Sequence, residues 1–570
     1  MLTQRPTPAF LSQEAARRLP RFALPLLLAA FILSGFWATG LWTTRDAAGF
    51  GTAHEMAVGG LEEWLLPQIQ GVWETGFGPL AGWTAALFMK LLSGVLGEVG
   101  AYRTASVFWF LLSVSALWSA VWRLSRRAEA QPVAFAFGGQ ADPASYSHVA
   151  ASCAVLFFVA TFGITTRQYE PIADTALVAL AAVALAGCAH SLKRPFAGAF
   201  ITGLAAGAGM LTTSIAASLW LLGAGLIVHA AVRTLPGRRA PRMILVLAGA
   251  FMPLALWGAA AHLAFPEHAP LWFAQWLGTQ STHVGPVSAA AVLWLSRTFV
   301  WYLLPTWPLA LWALYSWRRQ LDRTQILIPA IFAGAAVAAG FFTSQAGAGD
   351  LMLILVAPCC VLATYGLVTL RHSRDNLLDW FAISVFSVAL LTLWLYWIAA
   401  LIGFPPKMAK SIAMLAPELD LTLNGSIVLP LVSCVLWISF VVWRLTHRPI
   451  VVWRGAWLSA AGMTAFAVTL LGLWHEGIDM NRSYAQVSVE IAEAARNLSP
   501  EDPRLSADEI RGGVRAMLHH YGRVTFTRPG EPAKLRLVRV RGDRIPEGTL
   551  AGPISRPHTD ETFYITAVRR

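Results

Sequence analysis

The sequence predicts an all-α polytopic membrane protein with about 13 transmembrane helices and a small α+β domain outside the membrane. Apolar runs of about 20 residues, the length of a helix that crosses a bilayer core, recur along the first 474 residues. Only 13% of the residues are charged and 56% are hydrophobic, whereas soluble domains carry about 25% charged residues. The runs are too long and too uniform for barrel strands, so helices are expected.

The basic residues orient the predicted spans. Arg17, Arg18 and Arg21 precede the first apolar stretch, and later basic clusters lie between spans. Because loops rich in Lys and Arg remain in the cytoplasm, the N-terminus is expected inside and the loop 263–290 outside. The net charge of +12 is therefore interpreted as a topology signal. No basic patch typical of nucleic-acid binding is visible.

The composition divides the chain into two predicted domains, a transmembrane domain over 1–474 and a small periplasmic α+β domain over 475–570. An inside N-terminus and an outside tail require an odd number of crossings. The segment 79–97 is therefore expected to be re-entrant or to share a crossing with its neighbour. In the second domain, apolar spacing predicts helices over 484–496 and from Ser506 to Gly522. Short strands are predicted at 524–526, 535–540 and 563–568.

The predicted first periplasmic loop, 43–78, combines acidic, aromatic and glycine residues beside an apolar span. Charged residues near membrane depth are costly and usually functional. A carboxylate at such a position can act as a general base toward a hydroxyl group, or hold a divalent ion that binds a pyrophosphate. The candidates on the outer side are Arg45, Asp46, Glu55, Glu74, Arg167, Glu170 and Asp174.

Simpler roles remain open for several charged residues. Asp174 and Asp350 each stand where a helix N-cap is expected. Arg297, in a span rich in Trp and Tyr, could clamp a phosphate bidentately or extend to the interface. His268 and His283 share the outer loop but are weak ligand candidates.

Other catalytic signatures are missing from the sequence. No Walker loop, dinucleotide-binding fingerprint, zinc-helix motif or nucleophile elbow stands in a usable context. The five cysteines lie in apolar stretches without metal-ligand spacing, so neither a metal site nor a disulfide framework is expected.

A series of short motifs in the first 400 residues is shared with a known family. The motifs are Arg45-Asp46, Glu55-Met56, Trp64-Leu65, Pro67, Gly71, Gly78-Pro79-Leu80, Ala173-Asp174-Thr175-Ala176-Leu177 and Trp301-Tyr302-Leu303-Leu304-Pro305. This pattern resembles glycosyltransferase family 39, which includes the bacterial 4-amino-4-deoxyarabinose lipid A transferases and the protein O-mannosyltransferases. The resemblance covers most of residues 20–400.

The sequence departs from the family pattern at four positions. Ala47 replaces an acidic residue, and Phe77-Gly78 stand where the family has Lys-Pro. Thr213 replaces the lysine of a Leu-Thr-Lys-Gly segment. In the family these lysines are expected to face lipid phosphate. A divergent enzyme would need other cations for that task, and altered or lost activity is the alternative.

The resemblance implies an integral membrane glycosyltransferase of type C. Such an enzyme moves a sugar from a polyprenyl-phosphate carrier to a lipid, glycan or protein acceptor at the periplasmic face of the bacterial cytoplasmic membrane. It also implies contacts with membrane lipids and none with nucleic acid. A need for a divalent cation stays open. The alternatives are a lipid or glycolipid transporter or flippase, and a non-catalytic membrane subunit.

The resemblance also implies roles for individual residues. Asp46 is expected to act as the base or to position the acceptor, with Asp174 and Glu170 in the same cavity. The predicted phosphate-binding cations are Arg45, Arg167 and Arg297. Glu55 and Glu74 complete the predicted substrate-binding set. Trp272, Trp276, Trp301 and Tyr302 are expected to line the path of the sugar or the prenyl chain.

Overall fold

A computed structural model describes most of the 570 residues. The described residues are 6–35, 40–167, 171–286, 288–370, 372–416, 419, 421–423, 425–447, 449–507, 510–528, 530–542, 545–556 and 559–568. Within them the chain is mostly α-helical, with a short hairpin near the first predicted loop and a four-stranded sheet near the C-terminus.

The helices follow the apolar stretches of the sequence. They are α1 (Ala23–Leu33), α2 (Thr44–Val58), α3 (Leu61–Leu65), α4 (Pro79–Ser125), α5 (Pro143–Ala160), α6 (Phe162–Arg167), α7 (Ile172–His190), α8 (Pro195–Met210), α9 (Ile215–Ala231), α10 (Arg239–Ala264), α11 (His268–Ser281), α12 (Ala289–Tyr302), α13 (Thr306–Ser316), α14 (Thr324–Ala339), α15 (Ala348–Leu367), α16 (His372–Ile402), α17 (Pro406–Leu415), α18 (Val428–His447), α19 (Arg454–Arg482), α20 (Ala485–Leu498) and α21 (Gly512–Gly522). The strands are β1 (Gln68–Ile69), β2 (Val72–Trp73), β3 (Leu505–Ser506), β4 (Leu535–Arg541), β5 (Thr549–Ser555) and β6 (Glu561–Ala567).

Eight helical segments among the described residues are long and apolar enough to cross a membrane. They are Pro79–Ser125, Pro143–Ala160, Ile172–His190, Arg239–Ala264, Ala348–Leu367, Asn376–Ile402, Gly425–His447 and Arg454–Leu498. Four apolar helices of 10–17 residues accompany them: α1, α8, α9 and α14. The multi-pass helical architecture is thus confirmed, while the number of 13 crossings stays a prediction.

The two apolar stretches after the first loop meet at a kink within α4. α4 continues from the segment 79–97 into the next predicted span and bends at Gly97, whose φ is +70°. Glycine tolerates this φ because it has no Cβ. The backbone at Gly97 is not helical, so the segment 79–97 and the stretch that follows it are two helical parts joined directly at this kink.

The outer loop 263–290 contains a helix where the sequence analysis assigned a loop. Trp272 and Trp276 lie one turn apart on α11, and both pack against Trp257 of α10, with ring centroids 5.4 and 5.2 Å away. The burial of this apolar face explains why the segment is helical.

The C-terminal region has the predicted α+β character. The strand order is β3-β4-β6-β5, with β3 parallel to β4 and the other pairs antiparallel. The predicted strands 535–540 and 563–568 correspond to β4 and β6, and the predicted helix 484–496 corresponds to α20. The helix predicted from Ser506 begins at Gly512, because Ser506 pairs with β4 in β3, and 524–526 forms only an isolated bridge at Phe526. The strand β5, which contains Gly552 and Pro553, was not predicted. Both residues are depleted in strands, but an irregular edge strand tolerates them. The predicted domain boundary at residue 474 stays a prediction, and α19 continues past it to Arg482.

The C-terminal region packs directly on the first loop. A Cβ atom on Gly513 of α21 would lie 1.8 Å from the carbonyl oxygen of Thr44, so only glycine permits this approach. Ala516, one turn further along α21, faces Gly51 of α2 and Ile69 of β1. α21 therefore covers the helix that carries the first candidate site residues.

Candidate functional site

The first turn of α2 directs two neighbouring charged residues to different partners. The Thr43 side chain caps the helix and accepts a hydrogen bond from the backbone N–H of Asp46 at 3.2 Å. Successive helical residues point about 100° apart, because a turn contains 3.6 residues. Asp46 accordingly faces α4, whereas Arg45 faces the starts of α7 and α15.

Asp46 lies in a fully buried ion pair. Arg103 donates from Nη1 to Oδ1 at 3.0 Å and from Nη2 to Oδ2 at 2.7 Å, a bidentate pair. The hydroxyl of Tyr102 donates to Oδ1 at 3.1 Å. Asp46 has no exposed surface and Arg103 has 1%. Because its oxygens are bound internally, Asp46 could accept a proton only if this pair opened.

Arg45 lies between two other carboxylates. Its Nη2 is 3.1 Å from Oδ1 of Asp174 and 3.7 Å from Oδ1 of Asp350. Burial alone would lower the pKa of Arg45, but the two carboxylates outweigh it and hold the pKa above its ordinary value. The guanidinium group therefore stays charged. Its side chain keeps 36% exposure, whereas both carboxylates are buried.

Asp350 links this cluster to two further segments. His283 Nδ1 lies 3.2 Å from Oδ2 of Asp350, and the Thr213 hydroxyl donates to Oδ1 at 3.4 Å. Arg45, Asp174, Asp350, His283 and Thr213 thus form one network, built from α2, the starts of α7 and α15, and two loops. We call it the Arg45 network.

A small cavity adjoins the Arg45 network. Its volume is about 20 Å³, space for about one water molecule. Its lining includes Arg45, Thr52, Pro67, Glu74, Phe77, Gly78, Tyr102 and Ala173. Glu74 follows β2, and its Oε1 accepts a hydrogen bond from the Gly76 N–H at 3.0 Å. Burial raises the pKa of Glu74 above its ordinary value, and this single hydrogen bond offsets the rise only in part.

The two positions at which the resemblance predicts lysines lie near Arg45. The Arg45 guanidinium carbon is 5.3 Å from the centroid of the Phe77 ring, within cation–π distance. Gly78 donates its N–H to the carbonyl oxygen of Thr212 at 2.6 Å, which places the next residue, Thr213, close to the Phe77-Gly78 segment. One arginine therefore lies near both positions at which the resemblance predicts a lysine.

Other acidic and aromatic residues of the first loop hold its structure. Glu55 Oε1 accepts hydrogen bonds from the backbone and side chain of Gln70, at 3.2 and 2.9 Å. Trp257 and Trp272 donate their indole N–H groups to the carbonyl oxygens of Leu65 and Pro67, at 2.9 and 3.2 Å. Trp272 and Trp276 of α11 are buried, and they support the first loop.

The remaining predicted site residues lie apart from the Arg45 network or outside the described residues. Arg297 is exposed on α12, and within the described chain no ion pair or hydrogen bond joins it to Asp174 or Asp350. Trp301 is 43% exposed, whereas Tyr302 is buried and packs on Gly163. The side chain of Arg167 and all of Glu170 lie outside the described residues.

Three members of the site escaped the sequence analysis. Asp350 was interpreted as a helix cap and His283 as a weak ligand. Their partners lie far away in the sequence, so local patterns could not show the contacts. Arg103 was overlooked at the start of an apolar stretch. A charge next to a span is a signal that could have identified it. In the described part of the chain, no group of three or more His, Cys, Asp or Glu side chains could hold a metal ion.

Comparison with solved structures shows that the chain shares the fold of a bacterial membrane protein, ArnT. The chain is similar to ArnT from Cupriavidus metallidurans bound to undecaprenyl phosphate, with a TM-score of 0.62 and 18% sequence identity, over 89% of this chain and 85% of that one. ArnT in the apo state gives 0.63 and 18%, over 89% and 84%. No family model and no curated protein matches the sequence.

Proposed function

We propose that the protein is a membrane glycosyltransferase that uses a polyprenyl-phosphate-linked sugar as its donor. The acceptor would be a lipid such as lipid A, another envelope glycan or a protein. We place the reaction at the periplasmic face of the bacterial inner membrane, with the N-terminus in the cytoplasm and the C-terminal region outside. Support comes from the fold and from the Arg45 network, on the side of the chain that carries the first loop.

The observation that carries the proposal is the position of Arg45. It contacts Phe77 and pairs with Asp350, the partner of Thr213. Phe77 and Thr213 are the two positions at which the resemblance predicts phosphate-facing lysines. A guanidinium group binds phosphate bidentately and remains charged at every physiological pH. Arg45 thus supplies the positive charge that the two substitutions removed.

The proposed reaction is an inverting transfer. An acceptor hydroxyl oxygen forms a bond to the anomeric carbon of the sugar, the bond from that carbon to the phosphate oxygen breaks, and the phosphate leaves on its carrier. Arg45 would stabilise the charge that develops on the leaving phosphate, which is the effect preorganised cations supply best. To do so it would exchange one carboxylate partner, Asp174 or Asp350, for the phosphate.

The proton of the acceptor hydroxyl needs a carboxylate nearby. Two carboxylates are suited to this role: Glu74, which lines the cavity together with Arg45, and Asp174, which pairs with Arg45. Burial raises the pKa of Glu74, which makes this carboxylate a stronger base. We assign Asp46 to positioning, since its pair with Arg103 fixes the first turn of α2. The prediction that Asp46 itself accepts the proton is the alternative.

Substrate entry requires the cavity to open. Space for about one water molecule cannot hold a sugar. The first loop and α21 cover the cavity, and Gly512 of α21 lies directly over the Glu74 carboxylate. We therefore assign acceptor access to the C-terminal region.

A transfer assay tests the proposal. The purified full-length chain, reconstituted in nanodiscs, would be incubated with a labelled polyprenyl-phosphate sugar and total envelope acceptors. Arg45→Gln should lower transfer by about 10² to 10³, the cost of losing one donor to a developing charge. Arg45→Lys should recover part of the loss. Arg496→Gln, an exposed arginine on α20, is the matched control and should transfer normally.

Two outcomes would contradict the assignment of Arg45, and a third would contradict the proposal of an enzyme. Equal transfer by wild type and Arg45→Gln would remove Arg45 from the mechanism. A loss confined to Arg297→Gln would move the phosphate site to α12, as the sequence analysis left open. Transfer by none of the proteins, with every available polyprenyl-linked sugar, would favour the non-catalytic membrane subunit.

A further inference from the structure

A second, larger cavity lies at the other end of the membrane helices. Its volume is about 670 Å³. Charged side chains dominate its lining: Arg123, Arg126, Arg127, Glu129, Lys193 and Arg323. None of these residues belongs to the Arg45 network or to the proposed transfer reaction. We call this space the basic cavity.

The lengths of α7 and α4 give the distance between the basic cavity and the transfer site. α7 begins at Ile172, which lines the small cavity, and its 19 residues span about 28 Å before the chain reaches Lys193. α4 leads from Tyr102, also at the small cavity, to its last residue Ser125 over about 35 Å. The basic cavity therefore faces the opposite side of the membrane from the Arg45 network.

The basic cavity has more cationic side chains than carboxylates to neutralise them. It has five cationic side chains and one carboxylate, Glu129. Glu129 already accepts a hydrogen bond from the Thr324 hydroxyl and lies 3.9 Å from Arg127. Among the described residues, the other four cations pair with no carboxylate.

A topology signal alone does not explain this arrangement. The positive-inside rule requires basic residues in a loop, but not their convergence on one hollow. The cations come from the end of α4, the turn after it, the α7–α8 connection and the start of α14. Gathering like charges around one hollow is unfavourable unless an anion occupies it.

The side chains also suit a particular anion. Arginine matches the oxygens of phosphate with parallel N–H donors. Arg126 stacks on Trp122, with its guanidinium carbon 4.6 Å from the ring centroid, and Trp122 stacks in turn on Trp118 at 6.0 Å. Tryptophans mark the headgroup level of a membrane, and basic pockets between membrane helices bind phosphorylated headgroups.

We propose that the basic cavity binds a phosphate-bearing anion at the membrane face opposite the transfer site. The shared chemistry is a multiply charged phosphate group, carried either by a lipid headgroup or by a soluble phosphate compound. The site is separate from the donor site, and the proposal does not depend on glycosyl transfer.

Binding measurements with the detergent-solubilised full-length chain test this proposal. Native mass spectrometry would give Kd values for cardiolipin, for phosphatidylcholine and for inorganic pyrophosphate. The double variant Arg126→Gln/Lys193→Gln removes two exposed cations of the cavity. It should weaken binding of the preferred phosphate probe roughly 30-fold, from about 1 kcal/mol per cation and 1.4 kcal/mol per tenfold.

The control double variant Arg233→Gln/Arg238→Gln removes two exposed cations from the α9–α10 connection and should keep the wild-type Kd. Cardiolipin binding that pyrophosphate does not compete with would identify a lipid headgroup. Pyrophosphate binding that is lost in the cavity variant would identify a soluble anion. Equal Kd values for the cavity variant and the control, with every probe, would overturn the proposal.

Discussion

Removing Arg103 tests whether Asp46 has a positioning or a chemical role. Arg103→Met keeps most of the side-chain volume but leaves the fully buried Asp46 carboxylate with Tyr102 as its remaining described side-chain donor. Breaking a buried ion pair from one side costs about 3–5 kcal/mol. The hydrogen bond from Arg103 to the Gly40 carbonyl oxygen, 3.0 Å long, adds about 1 kcal/mol. The free energy of unfolding should therefore fall by about 4–6 kcal/mol.

The double variant Asp46→Leu/Arg103→Met distinguishes the loss of the whole ion pair from the loss of one partner. Replacing a whole buried ion pair by apolar side chains is often neutral, so the double variant should recover most of the stability lost in Arg103→Met. Reversible unfolding in mixed micelles of increasing dodecyl sulfate fraction, followed by circular dichroism, measures both. Arg504→Met, which breaks the exposed pair with Asp502, is the control and should leave the unfolding midpoint unchanged.

Transfer rates of the same variants complete the test. If Asp46 positions α2, Asp46→Asn should lose stability and transfer together, and the stable double variant should regain part of the transfer. Wild-type stability in Asp46→Asn combined with complete loss of transfer would refute this reasoning. Asp46 would then be the proton acceptor that the sequence analysis predicted.

Three further variants give separate outcomes. Burial raises the pKa of Glu74 above its ordinary 4.5, so transfer should decline as the pH falls through the raised pKa, and Glu74→Gln should lose this acidic limb in a pH–rate profile. Burial would also raise the pKa of Glu561, but Tyr484 and Arg539 outweigh it and hold the pKa below 4.5. This carboxylate therefore stabilises the fold fully above about pH 4.5, and the stabilisation is lost as the pH falls through the lowered pKa. Glu561→Gln should lower the melting temperature at pH 7 and make the melting temperature less dependent on acid pH. Trp272→Ala should cost about 3–5 kcal/mol in the unfolding assay, because the fully buried ring supports the first loop.

Local patterns in the sequence predicted the helical class and part of the site. Apolar runs indicate helices because a backbone in lipid must satisfy its hydrogen bonds internally. The charged residues on the predicted outer side pointed to Arg45 and Asp174. The partners of these residues were not predictable in the same way. Asp350 and His283 reach Arg45 only through the packing of α15 and the outer loop, more than 230 residues further along the chain.

The rotation between successive helical residues explains why Arg45 and Asp46, which were predicted to share a cavity, have different partners. Arg45 and Asp46 are neighbours in the sequence and were assigned to one cavity, but about 100° of helical rotation separates their side chains. Thr43 fixes that rotation by capping α2, and Gly513 fixes the approach of α21. The cap is a local contact, whereas the approach of α21 is a contact between distant segments, which composition and spacing do not record.

A structure of the full-length protein with bound polyprenyl phosphate tests the central claim most directly. We expect the phosphate oxygens at about 2.7–2.9 Å from the Arg45 guanidinium nitrogens, with Asp174 or Asp350 released from Arg45 and the cavity beside Glu74 enlarged. A phosphate held elsewhere, while Arg45 keeps both carboxylate partners, would contradict the account.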